Sequence, residues 1–404
     1  MRKLNPSWIV IAAGVTVALH ITKLPPAVAV LQNQLGISLV QAGFLLSTVQ
    51  VAGMLLGLVV GLCADQWGLR RSMLAGLILI GSASILGAAG ASFFWLLAFR
   101  AVEGLGLLLV VMPAPSLIRR SVPLAELQSR MGWWGAYMPF GSALGLISGP
   151  WMIGAFSWQV WWAFTGFVSL AAGLAVWAWI PKDEFDSILT RASHWRARLL
   201  ATMHNRGSWL AAGSFMVYSA QWVSVVGFLP TIYARAGTEP RMAGLLTASI
   251  AAANMVGNIA AGRLLQRGWP ARRCLQAGFV LMATCALIAF TQWGGQPVAP
   301  PWLGFAALVV FSAAGGMIPG SLFASVSQLA SSQQTVSTTV GLMQQLSSFG
   351  QFAGPPLVAG VATAVGGWQW TWLVTGTLCV FGWLLAVAIH KTLQAQESSG
   401  SGAI

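Results

Sequence analysis

Residues 157–166 read S-W-Q-V-W-W-A-F-T-G, and residues 367–376 read G-W-Q-W-T-W-L-V-T-G. Trp158, Gln159, Trp162, Thr165 and Gly166 recur as Trp368, Gln369, Trp372, Thr375 and Gly376, at an offset of 210. Upstream, Gly132, Phe140, Gly141 and Gly145 recur as Gly341, Phe349, Gly350 and Gly354, at an offset of 209. A period of half the chain is far longer than the ~20–50 residues of a solenoid unit. It marks an ancestral half that was copied and fused, so the fold should consist of two similar halves.

Composition sets the medium. Hydrophobic residues make up 57% of the chain and charged residues 7%, whereas soluble domains carry roughly a quarter charged. Apolar runs near the ~20 residues that cross a bilayer follow one another with short breaks. They place twelve spans near 8–30, 39–63, 73–91, 93–117, 131–155, 158–180, 208–232, 242–263, 273–292, 301–326, 336–362 and 369–390. The basic start Met1-Arg2-Lys3 precedes an apolar run too long for a signal-peptide core, so a retained first span is expected. Cys63, Cys274, Cys285 and Cys379 fall in or at the ends of apolar runs without metal-ligand spacing. They imply neither a disulfide framework nor a metal site.

A net charge of +13 would point to nucleic acid in a soluble protein, but here position decides otherwise. The basic residues run from Arg2 and Lys3 through Arg70, Arg71, Arg119 and Arg120 to Arg263, Arg267, Arg272, Arg273 and Lys391. With the N-terminus inside, all of these fall in cytoplasmic segments, and the outside loops keep only Arg235 and Arg241. That bias predicts a multi-pass protein of a bacterial-type inner membrane with both termini cytoplasmic. The expected partners are lipid and a small molecule, with no nucleic acid, and the expected state is a monomer.

The expected fold class is therefore an all-α membrane protein of twelve helices in two six-helix bundles. An even number of spans per half relates the bundles by a pseudo-two-fold axis along the membrane normal. The boundaries are 1–180 for the first bundle, 181–207 for a cytoplasmic linker, 208–391 for the second bundle, and 392–404 for an unstructured tail. The linker is the only long polar stretch in the chain.

Between the second and third spans lies Gly61-Leu-Cys-Ala-Asp65-Gln-Trp-Gly68-Leu-Arg70-Arg71. It resembles the signature loop of the major facilitator superfamily. Gln66 and Leu69 stand where that family often has basic residues. The other half has Gly262-Arg263-Leu-Leu-Gln266-Arg267-Gly268, at an offset of 201, with Gln266 in place of the acid. Arg100-Ala-Val-Glu103-Gly104-Leu-Gly106 is similar to the family's Arg-x-x-Gln-Gly-x-Gly, with Glu103 for glutamine. Gly141, Gly145, Gly149, Pro150 and Gly154 resemble the glycine-proline motif of its proton-coupled exporters. The resemblance covers the whole chain and implies a secondary transporter of the twelve-helix type. It further implies that Gly61, Asp65, Gly68, Arg70, Arg71, Gly262 and Arg263 form a cytoplasmic gate. The glycine spacing also lets helix backbones approach closely in a bilayer.

The chain lacks G-x-x-x-x-G-K-[ST], so no nucleotide site is expected. No nucleophile–base pair suggests an enzyme. No cofactor is expected either, and the implied coupling ion is a proton. At depth the spans hold His20, Lys23, Arg100 and Glu103, all in the first half. A charge at the centre of a spanning helix costs about 2.5–3.5 kcal/mol on insertion scales, so its default reading is functional. The competing reading is a structural Arg100–Glu103 pair that pins the fourth span, with Lys23 reaching to the interface. The second half offers Tyr218, Gln221, Asn254, Gln344 and Gln345 as uncharged cavity lining, with Gln221 at the repeat position of His20. Spans three, six, nine and twelve are nearly free of such residues and are expected to face lipid.

Two functions compete. Lys23 and Arg100 against one Glu103 favour proton-coupled uptake of a small organic or inorganic anion. The glycine-proline motif favours a drug/proton antiporter. A channel or sensor has no comparable support.

Overall fold

The structure is a computed structural model. It describes residues 5–401, apart from residues 91, 124–125, 127–129, 131–132, 184–194, 294–295 and 333–334. The twelve spans form in order. In the first half they are Pro6–Leu35, Leu39–Val59, Leu69–Ala88, Phe93–Ser121, Tyr137–Ala155 and Trp158–Trp179. In the second half they are Arg206–Arg235, Pro240–Gln266, Ala271–Phe290, Pro301–Leu329, Val336–Ala364 and Thr371–Gln394. By length and composition, 10 helices among the described residues can cross a membrane. The fifth and eleventh spans are not among these, because glycine, serine and glutamine dilute their apolar content.

Local chemistry explains the interruptions. Pro25 and Pro26 remove two backbone donors, and the first span passes through a 3-10 turn at Pro25–Ala27 before resuming at Val28–Leu35. The fourth span breaks at Met112 and Pro113 and restarts as Ala114–Ser121. Ser38 and Gln41 form a reciprocal capping box at the start of the second span.

The helical class holds, and the one ribbon among the described residues is the short antiparallel pairing of Gln292–Trp293 with Gln296–Pro297 between the ninth and tenth spans. One expectation is corrected: the last helix continues to Ser401 where an unstructured tail was expected from 392. Thr392-Leu-Gln-Ala-Gln-Glu397 contains neither glycine nor proline, and most of these residues form helix well.

The chain groups into two compact units, and they are not simply its two sequence halves. One unit runs through the first six spans and also takes Gly227–Ala248; the other takes His194–Val226 and Ser249–Ile404. Part of the expected linker, 184–194, lies outside the described residues, and Trp195–His204 is helical.

Inside the first unit, the third span packs against the fourth and sixth, and the first span against the fifth and sixth. In the second unit, the ninth span packs against the tenth and twelfth. The duplicated glycines mark equivalent contacts. A Cβ at Gly141 would lie 2.7 Å from Val15 O, and one at Gly350 would strike Met216 O. Val15 and Met216 are themselves repeat positions, so each half brings its first and fifth helices into backbone contact.

The core of the first unit includes Val10, Val17, Met73, Leu77, Ile80 and Val110, all out of solvent. Large apolar side chains also lie on the outside of both units. Phe164, Phe167, Leu174 and Trp177 of the sixth span are exposed, as are Val380, Phe381 and Leu384 of the twelfth. An apolar surface of this extent on a chain of such low charge suits contact with lipid.

Candidate functional site

The buried charges form one cluster. Lys23 closes the C-terminal end of helix Pro6–Thr22, its N–H bonded to Leu19 O at 2.8 Å. Pro25 and Pro26 end that helix just after it, and the side chain turns inward instead of reaching the interface. Lys23 is 0% exposed, His20 0%, and Arg100 and Glu103 1% each.

Lys23 Nζ donates to Glu103 Oε1 at 2.5 Å and to Ser84 Oγ at 2.7 Å, and it lies 3.3 Å from His20 Nδ1. An ammonium has three protons, and here each has an acceptor if His20 Nδ1 carries none. That assigns the imidazole proton to Nε2, which lies 2.8 Å from Ser169 Oγ. The Trp162 ring lies beside the ammonium, 4.8 Å from Nζ, where its face adds cation–π attraction. Trp161 Nε1 donates to Lys23 O at 3.2 Å.

One helical turn separates Arg100 from Glu103, which sets the two side chains on one face. Arg100 Nη1 donates to Glu103 Oε2 at 2.7 Å and to His20 O at 2.6 Å, and Nε donates to Leu45 O at 3.1 Å. Arg100 Nη2 is buried with no hydrogen-bond partner among the described residues. With His20 neutral, two cations share one carboxylate, so the cluster holds one positive charge in excess.

Sequence reasoning found the four charged members but missed their partners. Ser84 belongs to the third span and Ser169 to the sixth, the spans expected to face lipid, and Thr165 of the sixth lies 3.3 Å from the Ser84 hydroxyl. Each of these spans shows one side to lipid and turns a buried hydroxyl to the cluster, as Ser84 also donates to Trp162 O at 2.7 Å. Single serines in a helix do not stand out by charge, and only the period of the polar positions would have revealed them.

The second unit holds uncharged counterparts. Asn254 Nδ2 donates to Tyr218 Oη and to Ser312 O, both at 2.9 Å, and Trp222 Nε1 donates to Ser312 Oγ at 3.0 Å. Gln221 has other partners. Its amide donates to Val217 O, and it accepts from Cys379 Sγ at 3.2 Å, in a fully buried position facing the twelfth span. Gln344 and Gln345 are half-buried on the eleventh span.

At the signature loop, Gly61 and Asp65 fall in the helix that ends the second span, and their surroundings lie outside what is described. Gly68 adopts φ +94, a conformation glycine reaches without strain. The third span starts immediately after it. The acid at that helix start is Asp183, from the end of the sixth span, which sequence reasoning did not single out. Its two carboxylate oxygens accept from Arg70 N and Arg71 N, each at 3.1 Å, satisfying donors a helix start leaves open. Arg70 is buried, and its Nη2 donates to Trp177 O at 2.6 Å. Gly262 and Arg263 occupy the last turns of the eighth span. Of the fifth-span motif, Gly149 lies against Pro26 and Pro150 against Gly244 of the eighth span, whereas a Cβ added at Gly154 would meet nothing within 4 Å.

Known proteins resolve the family. The model of the Major Facilitator Superfamily matches residues 10–220 and again 210–402. No curated protein sequence matches the chain. Among solved structures, a bacterial homolog of the human lysosomal transporter Spinster superposes in two inward-facing states. The unoccupied state has a TM-score of 0.75 at 16% identity and covers 98% of this chain and 99% of that one. The occupied state has a TM-score of 0.78 at 15% identity and covers 97% and 98%. A D-xylose-proton symporter has a TM-score of 0.71 at 15% identity and covers 94% and 96%. At such identities the likeness is one of fold. The double match of the family model, one per half, follows the duplication seen in the Trp-Gln stretches: the chain belongs to the Major Facilitator Superfamily and is a membrane transporter, not an enzyme.

Proposed function

We propose that this transporter carries a small organic or inorganic anion inward together with a proton, by alternating access. The supporting observation is the Arg100 guanidinium, buried beside Lys23 with one carboxylate between the two cations and with Nη2 unpartnered among the described residues. An unsatisfied guanidinium donor in a site of excess positive charge attracts an anion.

The same arrangement supplies a coupling logic. A proton on Glu103 removes the charge that neutralises Lys23 and Arg100, and two uncompensated cations then remain. At about 4 Å and an effective dielectric near 20, each unit charge is worth about 4 kcal/mol, so the proton strengthens the hold on an anion. Linkage makes the coupling reciprocal. The basic bias of the sequence supports cytoplasmic termini in a bacterial-type inner membrane, and the protein works as a monomer on this reading.

Purified protein in proteoliposomes tests the proposal with an imposed pH gradient and a panel of labelled carboxylates and inorganic anions. Uptake should follow the inward proton gradient and be lost in Arg100→Ala. Glu103→Gln should still exchange the anion across the bilayer but no longer accumulate it against a gradient. Unchanged uptake and pH dependence in both variants would sink the proposal. The alternative, export of a drug in exchange for a proton, draws on the fifth-span motif, with Gly149 against Pro26 and Pro150 against Gly244. Excess buried positive charge fits cationic drugs poorly, so this export reading requires neutral or anionic compounds.

A further inference from the structure

A polar recess lies in the first compact unit, well away from the linker. It has a volume of about 390 Å³ and is lined by Ala29, Gln32, Asn33, Thr231, Ala234 and Arg235. All six residues belong to that unit. Residues 231–235 end a helix of 30 residues that begins at Arg206, next to the linker, so the recess opens near the far end of that span.

Thr231 is 3% exposed, and its hydroxyl has no hydrogen-bond partner among the described residues. Among the described threonines, Thr338 shares this state, but most others are satisfied. Thr22, Thr48, Thr247 and Thr284 each donate to the carbonyl four residues back, the usual resort of a threonine inside a helix. Thr231 lines the recess instead, with its hydroxyl uncommitted. A buried hydroxyl left in that state costs about 1–3 kcal/mol, which a bound polar group would recover.

Arg235 lies one turn after Thr231 on the same helix face. Across the recess, helix Val28–Leu35 contributes the amides of Gln32 and Asn33. No carboxylate lines the recess, and among the described residues none pairs with Arg235. A guanidinium, a hydroxyl and two amides, with no competing acid, make a donor set for an anion.

We propose that this recess binds a small carboxylate or oxyanion at a site distinct from the buried Arg100 cluster, with Thr231 and Arg235 as its principal donors. It shares no residue with that cluster, so it stands whether or not the cluster carries substrate. On the transport reading given above, it would act as a loading site at the far end of the pathway.

The test uses full-length protein in nanodiscs and equilibrium binding of labelled benzoate, with benzamide as an uncharged competitor of similar shape and inorganic phosphate as a second anionic probe. Benzoate or phosphate should bind, and benzamide should not compete. In the Arg100→Gln background, which removes any binding at the buried cluster, a benzoate- or phosphate-binding component should remain, and adding Thr231→Val or Arg235→Gln should weaken that component roughly tenfold. Thr231→Val keeps the shape of the side chain and Arg235 is exposed, so both variants should fold, with thermal unfolding as the check. The proposal is overturned if neither anion binds, if benzamide competes equally, or if both variants bind as the Arg100→Gln background does. Loss of binding in Arg100→Gln alone would also overturn it and would assign the anion to the buried cluster, whereas failure of the transport assay with binding intact would remove only the transport reading.

Discussion

His20 Nε2 lies 2.8 Å from Ser169 Oγ, and the second half of the chain repeats the contact as Gln221 with Cys379. His20 and Gln221 are related by the repeat offset of 201, and Ser169 and Cys379 by that of 210. The duplication therefore preserved a polar contact between the first and sixth helices of each bundle while changing both partners. Glutamine offers a carbonyl and an amide where neutral histidine offers an acceptor and a donor. His20→Gln should accordingly keep Lys23 and Ser169 satisfied, with thermal unfolding and proton-driven uptake near native levels. His20→Leu should lose about 1–3 kcal/mol of stability from the groups it strands. A well-folded His20→Gln without proton-driven uptake would instead assign the proton to the imidazole itself.

The charge balance of the cluster predicts an order of stabilities that contact loss alone does not. Lys23→Met leaves Glu103 paired with Arg100 and removes the excess charge. Glu103→Gln is nearly isosteric yet leaves two buried cations without a counter-charge. Breaking a buried pair in this way costs about 3–5 kcal/mol. Glu103→Gln should therefore unfold at a lower temperature than Lys23→Met in the same detergent, despite its smaller change in shape. The reverse order would mean that the three hydrogen bonds of Lys23 outweigh the charge term.

How much of this was legible follows from what charge and periodicity can report. The twelve spans were readable because each must be long and apolar, and the repeat was readable because tryptophan and glycine recur at fixed offsets. Lys23, Arg100 and Glu103 stood out because charge is scarce in the spans. Ser84 and Ser169 did not stand out, since a hydroxyl in a helix gives no sign of whether it bonds its own backbone or a lysine on a neighbouring helix. The grouping of Gly227–Ala248 with the first unit was equally silent, because it depends on packing between segments far apart in sequence. Asp183 was read as part of a water-exposed linker on composition, although its position after the sixth span brings it to the start of the third.

Asp183 caps the third span through Arg70 N and Arg71 N, and that contact has a measurable value. Loss of an N-terminal capping side chain costs about 0.5–2 kcal/mol. Asp183→Ala should lower thermal stability by that amount, whereas Asp183→Asn should retain most of it because one amide oxygen still accepts. If the two variants melt together near the native midpoint, the carboxylate contributes nothing to holding the signature loop.

The fifth-span glycines separate tight packing from mere composition. At Gly141 a Cβ would lie 2.6 Å from Ala18 Cβ and 2.7 Å from Val15 O, while at Gly154 it would meet nothing within 4 Å. Backbone cannot withdraw from a new methyl as a flexible side chain can, so Gly141→Ala must push the first and fifth helices apart. Overpacking of this kind costs about 1–3 kcal/mol. Gly154→Ala should be neutral or slightly stabilising, since alanine suits a helix interior better than glycine. Thermal unfolding of the two variants side by side gives the comparison. The repeat adds an internal control, because Gly350→Ala meets Met216 O in the second half as Gly141→Ala meets Val15 O in the first. Both should destabilise. A neutral result at Gly141 together with a loss at Gly154 would mean that the motif's spacing serves something other than close approach of helices.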